Sequence, residues 1–208
     1  MATLGFQHCK SDHSLFIYNK EYDIAYILLY VGDIILVASS DSLRRYIMSF
    51  LSVEFIMKDL GPLSYFLGID VTRTTTNMFL SQKSMQKIFL KRAGITNCKT
   101  CPKPIDTKPK LGASNDFPCE DPTKYRHLAR ALQYLTFTRP NISYVVQQIC
   151  LFMHDPKEEH MHALKLILHY IQGIIDFGLH LYKSNIDNLL SYIDTYWGGC
   201  SDTRQSTS

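Results

Sequence analysis

The chain has 208 residues, 46% of them hydrophobic and 20% charged, a composition that suits one large or two small globular domains and excludes a disordered chain. A formal net charge of +3 is too weak by itself to indicate a nucleic-acid partner. The chain opens with no leader-like pattern, its longest apolar run (Ile24–Val31) is far short of the roughly 20 residues a membrane helix needs, and six cysteines without a leader read as reduced thiols, so a soluble, intracellular protein with no membrane segment is expected.

In chain order, Ser14–Tyr18, Asp23–Val31 and Ile34–Ala38 are rich in branched and aromatic residues and read as strands. Gly32-Asp33 between the last two predicts a hairpin, with Gly32 at the first central position of a tight turn. These strands are apolar on both faces, which predicts a covered sheet rather than an edge. Ser40 or Asp41 can cap a helix whose apolar positions are Leu43, Ile47, Phe50 and Leu51. After the turn Asp59–Pro62, Tyr65–Val71 and Met78–Leu80 suggest a second hairpin, and Ser81 opens a helix that ends near Gly94.

That helix begins the most basic part of the chain. Lys83–Lys110 holds eight basic residues against the single acid Asp106, a net +7 that leaves −4 for the remainder. Lys83, Lys87 and Lys91 recur every four residues and share one helix face, with Met85, Ile88 and Phe89 on another. Five prolines mark a linker from Cys98 to Pro122. Helices follow over Thr123–Thr138, Ile142–Met153 and Lys157–Gly173, the first two separated at Arg139-Pro140. Gly178–Tyr182 and Leu189–Asp194 read as the first strands of a new sheet, cut short at Ser208.

Several segments occur together and in order: LLYVGDIILVASS, MKDLGPLSYFLGIDV, FLSQK, ALQYLTFTRPNISYVVQQ, CLFMHDP, YIQG and WGGCSDTRQSTS. In this the chain resembles, over essentially its whole length, copia-type retrotransposon Pol polyproteins of the plant kind, in their reverse-transcriptase and RNase H region. The resemblance implies an α+β fold: a partial palm of antiparallel hairpins and helices over residues 1–80, a thumb-like basic helix over 81–97, a Pro-rich linker over 98–122, a helical connection over 123–177, and a truncated RNase H-like start over 178–208.

It also implies site residues. Tyr30-Val31-Gly32-Asp33 stands where the family has Tyr-Val-Asp-Asp, whose carboxylates hold Mg²⁺ for nucleotide addition. Two metals about 4 Å apart clamp the attacking and leaving oxygens, and a sheet can fix the carboxylates that grip them. Gly32 replaces the main ligand, leaving Asp33 as the remnant, and the partner aspartate of an earlier palm strand is expected upstream of Met1. Asp194 matches the first RNase H carboxylate, with Tyr196 in place of the second. Both metal sites are therefore expected to be incomplete and polymerase and RNase H activities absent. Tyr65 and Gly68 match the hairpin that grips the primer terminus, although a glycine-kinked structural hairpin explains them equally well. The Lys83, Lys87 and Lys91 face matches the thumb surface that tracks an RNA or DNA template–primer, against the plainer account of a solvated helix face. The open alternatives are an inactive polymerase fragment, a weak sequence-indifferent nucleic-acid-binding remnant, and an excerpt of a longer active polyprotein.

Other departures from the family are Arg130 in place of a small residue, Asn141 in place of an aspartate, and His169 in place of an arginine; Arg130 would be costly if it faced the core. Cys98 and Cys101 have the spacing of half a zinc site but no second pair, and His154, His160 and His162 lack a metal-binding pattern, so both groups read as structural.

Overall fold

The computed structural model describes residues 4–95, 99–104 and 117–184. The chain divides into two compact units, Met1–Leu63 and Ser64–Ser208, so the second predicted hairpin groups with the helices that follow it.

The first unit is an antiparallel meander of β1 (Gln7–His8), β2 (Leu15–Lys20), β3 (Asp23–Tyr30) and β4 (Asp33–Ala38), followed by α1 (Asp41–Glu54). Alternation along the strands sends Phe16, Ala25 and Ile27 to one face, where Leu43, Ile47 and Leu51 of α1 pack at four-residue spacing. Each of the larger of these side chains contributes about 1.5–3 kcal/mol by leaving water. As expected, α1 is capped by Ser40, whose hydroxyl accepts from the Leu43 N–H at 3.2 Å. The expectation of a sheet covered on both faces and without an edge at this hairpin is not met. β4 is an edge strand, and on the face away from α1 Tyr26 and its partner Val37 stay 43% and 57% exposed. Two-faced apolar character reports how much apolar surface exists, not what covers it.

The second unit joins β5 (Tyr65–Phe66), β6 (Ile69–Arg73) and β7 (Asn77–Ser81) to α2 (Lys83–Ala93), α3 (Pro122–Leu135), a 3-10 turn (Pro140–Ile142), α4 (Ser143–Cys150), α5 (Glu158–Gly173) and β8 (Leu179–Tyr182). β8 pairs antiparallel with β7 as the outer strand of the sheet β5-β6-β7-β8. This corrects the reading of residues 178–182 as opening a new sheet: the strand is real, but its partner lies about a hundred residues earlier, a pairing that local pattern cannot reveal. The companion strand Leu189–Asp194 lies outside the described residues.

α2 ends at Gly94, in the left-handed conformation at φ 76°. Asp121 caps α3 by accepting from the Lys124 N–H at 2.8 Å. Leu90, Tyr125, Leu132, Ile149, Leu164 and Ile171 form part of one core shared by all four helices. Arg130 is exposed, so the feared buried charge does not arise there. The buried charge is Arg139 instead, 2% exposed at the entry to the 3-10 turn. Its Nη2 donates to Gln86 Oε1 on α2 at 3.2 Å and to the carbonyls of Ile174 and Ile175 beyond α5 at 3.0 and 3.4 Å. Its Nε and Nη1, and Gln86 Nε2, have no partner. Burial pushes the guanidinium below its ordinary pKa, because loss of hydration disfavours the cation. Two expectations follow, both read from urea denaturation. Arg139→Ala, which leaves a cavity and three bereft acceptors, lowers stability by about 3 kcal/mol or more. Gln86→Glu supplies a counter-charge, removes an orphan donor and raises stability by about 1 kcal/mol.

Candidate nucleic-acid interface

The metal-turn hairpin joins β3 to β4, and its last strand pair is Tyr30 with Asp33. The central turn residues are thus Val31 and Gly32, one step earlier than expected. The left-handed position belongs to Val31, at φ 55° and fully exposed, a conformation that costs a β-branched residue about 1–2 kcal/mol. Gly32 is outside the left-handed region, and a Cβ added there would meet nothing within 4 Å. Its backbone and surroundings therefore have room for a side chain such as aspartate. Asp33 is exposed.

These donors do not fit a two-metal centre. The turn offers one carboxylate, and no group of three His, Cys, Asp or Glu side chains able to hold a metal occurs among the described residues. Asp194 lies outside the described residues, as does Cys98.

The grip-like hairpin turns at Leu67 and Gly68, at φ 50° and 79°, two successive left-handed residues as a tight two-residue hairpin requires. Gly68 is buried, and a Cβ there would lie 2.8 Å from Met85 Cγ on α2. Close packing on its own helix therefore accounts for this glycine. The Tyr134 hydroxyl of α3 donates to the Leu67 carbonyl, fastening the turn to a second helix. Tyr65 is 58% exposed and free to face a ligand in solution.

On α2 the buried stripe is Gln86 and Leu90, and Lys83, Lys87 and Lys91 are exposed to one side of it. The hairpin and the lysine helix are thus brought together through Met85, whereas Asp33 belongs to the other compact unit. Sequence reasoning missed Asp176, which forms an ion pair with Lys83. The hydrogen bond and charge of Lys83, with Lys87 adding to the field, hold the Asp176 carboxyl below its usual pKa. The free basic surface is therefore centred on Lys87 and Lys91. Ninety-three residues separate the two partners, so no local motif signals the pair. His160 stands at the start of α5, but it is buried rather than on a surface loop: it is 1% exposed, its Nδ1 accepts from the Lys157 N–H at 3.0 Å, and its ring stacks on Phe152 at 3.9 Å.

Residues 1–107 match the family described as reverse transcriptase (RNA-dependent DNA polymerase). The retrovirus-related Pol polyprotein from transposon RE1 of Arabidopsis thaliana is 39% identical over 100% of this chain and 14% of its own length. An uncharacterized mitochondrial protein of the same plant is 41% identical over 88% of this chain and 76% of its own length. The Pol polyprotein from transposon TNT 1-94 of Nicotiana tabacum is 31% identical over 91% and 15%. No solved structure matches. The α+β architecture of antiparallel sheets and helices is consistent with part of a polymerase of this class. The chain belongs to the reverse transcriptase family, among the Pol polyproteins of copia-type plant retrotransposons. It spans about a seventh of the length of the RE1 polyprotein. No helix among the described residues is long and apolar enough to cross a membrane.

Two substitutions test the turns. Gly68→Ala, strained at positive φ and crowding Met85, lowers stability by about 2 kcal/mol, measured by chemical denaturation. Val31→Asn, which tolerates the left-handed region, raises stability by about 1 kcal/mol on the same assay.

Proposed function

We propose that this chain is a nucleic-acid-binding part of a retrotransposon reverse transcriptase that does not extend a primer by itself. The observation that carries the binding role is the exposed Lys83, Lys87 and Lys91 face of α2. Lysines at this spacing neutralise successive phosphates without reading bases, so the ligand is an RNA or DNA template–primer held by its backbone. Tyr65, exposed on the grip-like hairpin, is read as a further nucleic-acid contact, and Gly68 shapes that hairpin. Asp176 acts against binding, since its carboxylate already occupies Lys83.

The catalytic side of the reading rests on Gly32. Losing a metal-binding carboxylate removes several kcal/mol of transition-state stabilisation, a rate loss of orders of magnitude. Residues 1–80 are read as palm, 81–97 as thumb-like, 123–177 as connection, and the chain beyond β8 as the start of an RNase H-like segment in which Asp194 is a carboxylate remnant. Mg²⁺ is the family's expected ion, and Asp33 and Asp194 are read as single remnants of two separate sites, neither of which could hold it alone. A second reading is favoured by the 14% coverage: the same stretch works within a longer polyprotein, where Gly32 remains a defect.

Binding to a primer–template duplex falls steeply with salt, and the Lys83→Ala/Lys87→Ala/Lys91→Ala variant flattens the log–log slope by about 2–3 units, whereas Asp176→Asn steepens it by about 1. Fluorescence anisotropy across a salt series reads both, and an unchanged slope in the triple variant sinks the binding role. Primer extension with Mg²⁺ or Mn²⁺ checks the catalytic statement: incorporation above that of an Asp33→Asn control contradicts it.

A further inference from the structure

α2 has a second basic flank, which the lysine face does not explain. Around the helix, Lys83, Lys87 and Lys91 lie to one side of the buried Gln86 and Leu90, and Phe89 and Arg92 lie to the other. On that other side α2 and α3 border a groove of about 460 Å³. Its deeper lining is apolar (the buried Leu128 and the half-buried Phe89 and Ala131), and its outer lining is Arg92, Lys124 and His127, all exposed. Arg92 and Lys124 make no ion pair among the described residues. Asp121 also lines the groove, but its carboxylate is committed to the Lys124 backbone N–H at 2.8 Å as the cap of α3.

Apolar depth below a cationic rim suits a ligand that is flat and weakly polar at one end and anionic at the other. The volume lies in the range of about 300–1,000 Å³ usual for small-ligand sites, enough for one nucleotide unit. We propose that this groove takes one unpaired nucleotide of a single strand, its base against Phe89 and Leu128 and its phosphate against Arg92 and Lys124. The strand is single because the faces of a paired base are already stacked within the duplex, whereas an exposed base is free to enter an aromatic-lined slot. The proposal rests on the nucleic-acid role above but uses residues separate from the lysine face, so the two can fail independently.

The test uses the full chain with two labelled probes, a short oligothymidine and a blunt duplex of equal length, by anisotropy at low salt. Arg92→Ala/Lys124→Ala is expected to weaken oligothymidine binding about tenfold and duplex binding less than about twofold. Ala131→Trp, which fills the groove and leaves its charge unchanged, weakens oligothymidine to a similar extent. An abasic strand of the same length binds the unaltered chain about tenfold less tightly, because it loses the stacking contact. Oligothymidine affinity unchanged in Arg92→Ala/Lys124→Ala, equal binding of the abasic strand, or no binding of oligothymidine to the unaltered chain each overturns the proposal. Loss of oligothymidine binding in the groove variants beside unchanged duplex binding in the lysine triple variant upholds the groove and removes only the lysine-face reading.

Discussion

A guanidinium that is almost wholly out of water organises the helical unit. Arg139 reaches α2 through Gln86 and the far end of α5 through the carbonyls of Ile174 and Ile175, while its own backbone marks the break between α3 and α4. Those carbonyls lie just beyond the last turn of α5, so the cation sits near the negative end of the helix, which partly compensates its lost hydration. The compensation is incomplete, because three N–H groups of the network have no acceptor. Such a network holds the helices in one arrangement more than it adds net stability. Both flanks of α2, lysine face and groove alike, take their orientation from it.

The hairpin at Leu67-Gly68 is subordinate to the same helix. Met85 fills the space that the missing Gly68 side chain leaves, and Tyr134 holds the Leu67 carbonyl from α3. A turn gripped from two helices cannot shift without moving them. Tyr65 on the adjoining strand is thereby placed on a rigid support, the usual condition for a residue that must meet a ligand.

Local features were legible in the sequence because local chemistry decides them. The Ser40 cap, the four-residue spacing of α1, the Gly94 terminus and the break at Arg139-Pro140 all follow from backbone and side-chain preferences over a few residues. The β3–β4 hairpin is where the sequence predicts it, but its turn comes one residue earlier, since strand pairing gives Asp33 to β4 and leaves Val31 in a position that glycine would favour. What stayed hidden depends on distant pairings: β8 on β7, Asp176 on Lys83, Tyr134 on Leu67. Concern over Arg130 was aimed at the wrong arginine, because helix phase puts Arg130 outward and the fold buries Arg139. Of the candidate site, the lysine face was readable from side-chain type and spacing alone, and the reading of Gly32 came only through the family resemblance; the groove needed two helices brought side by side.

β4 sits at the rim of its sheet with the sequence Asp-Ile-Ile-Leu-Val-Ala, a run with no proline or lysine. Proteins usually blunt such rims with those residues, since unpaired main-chain groups on an apolar strand recruit further strands. Here the sole charge is Asp33, at the end of the strand beside the Val31-Gly32 turn. Asp33 is thus the strand's one charged gatekeeper, and neutralising it would leave the rim with no charge to oppose strand addition.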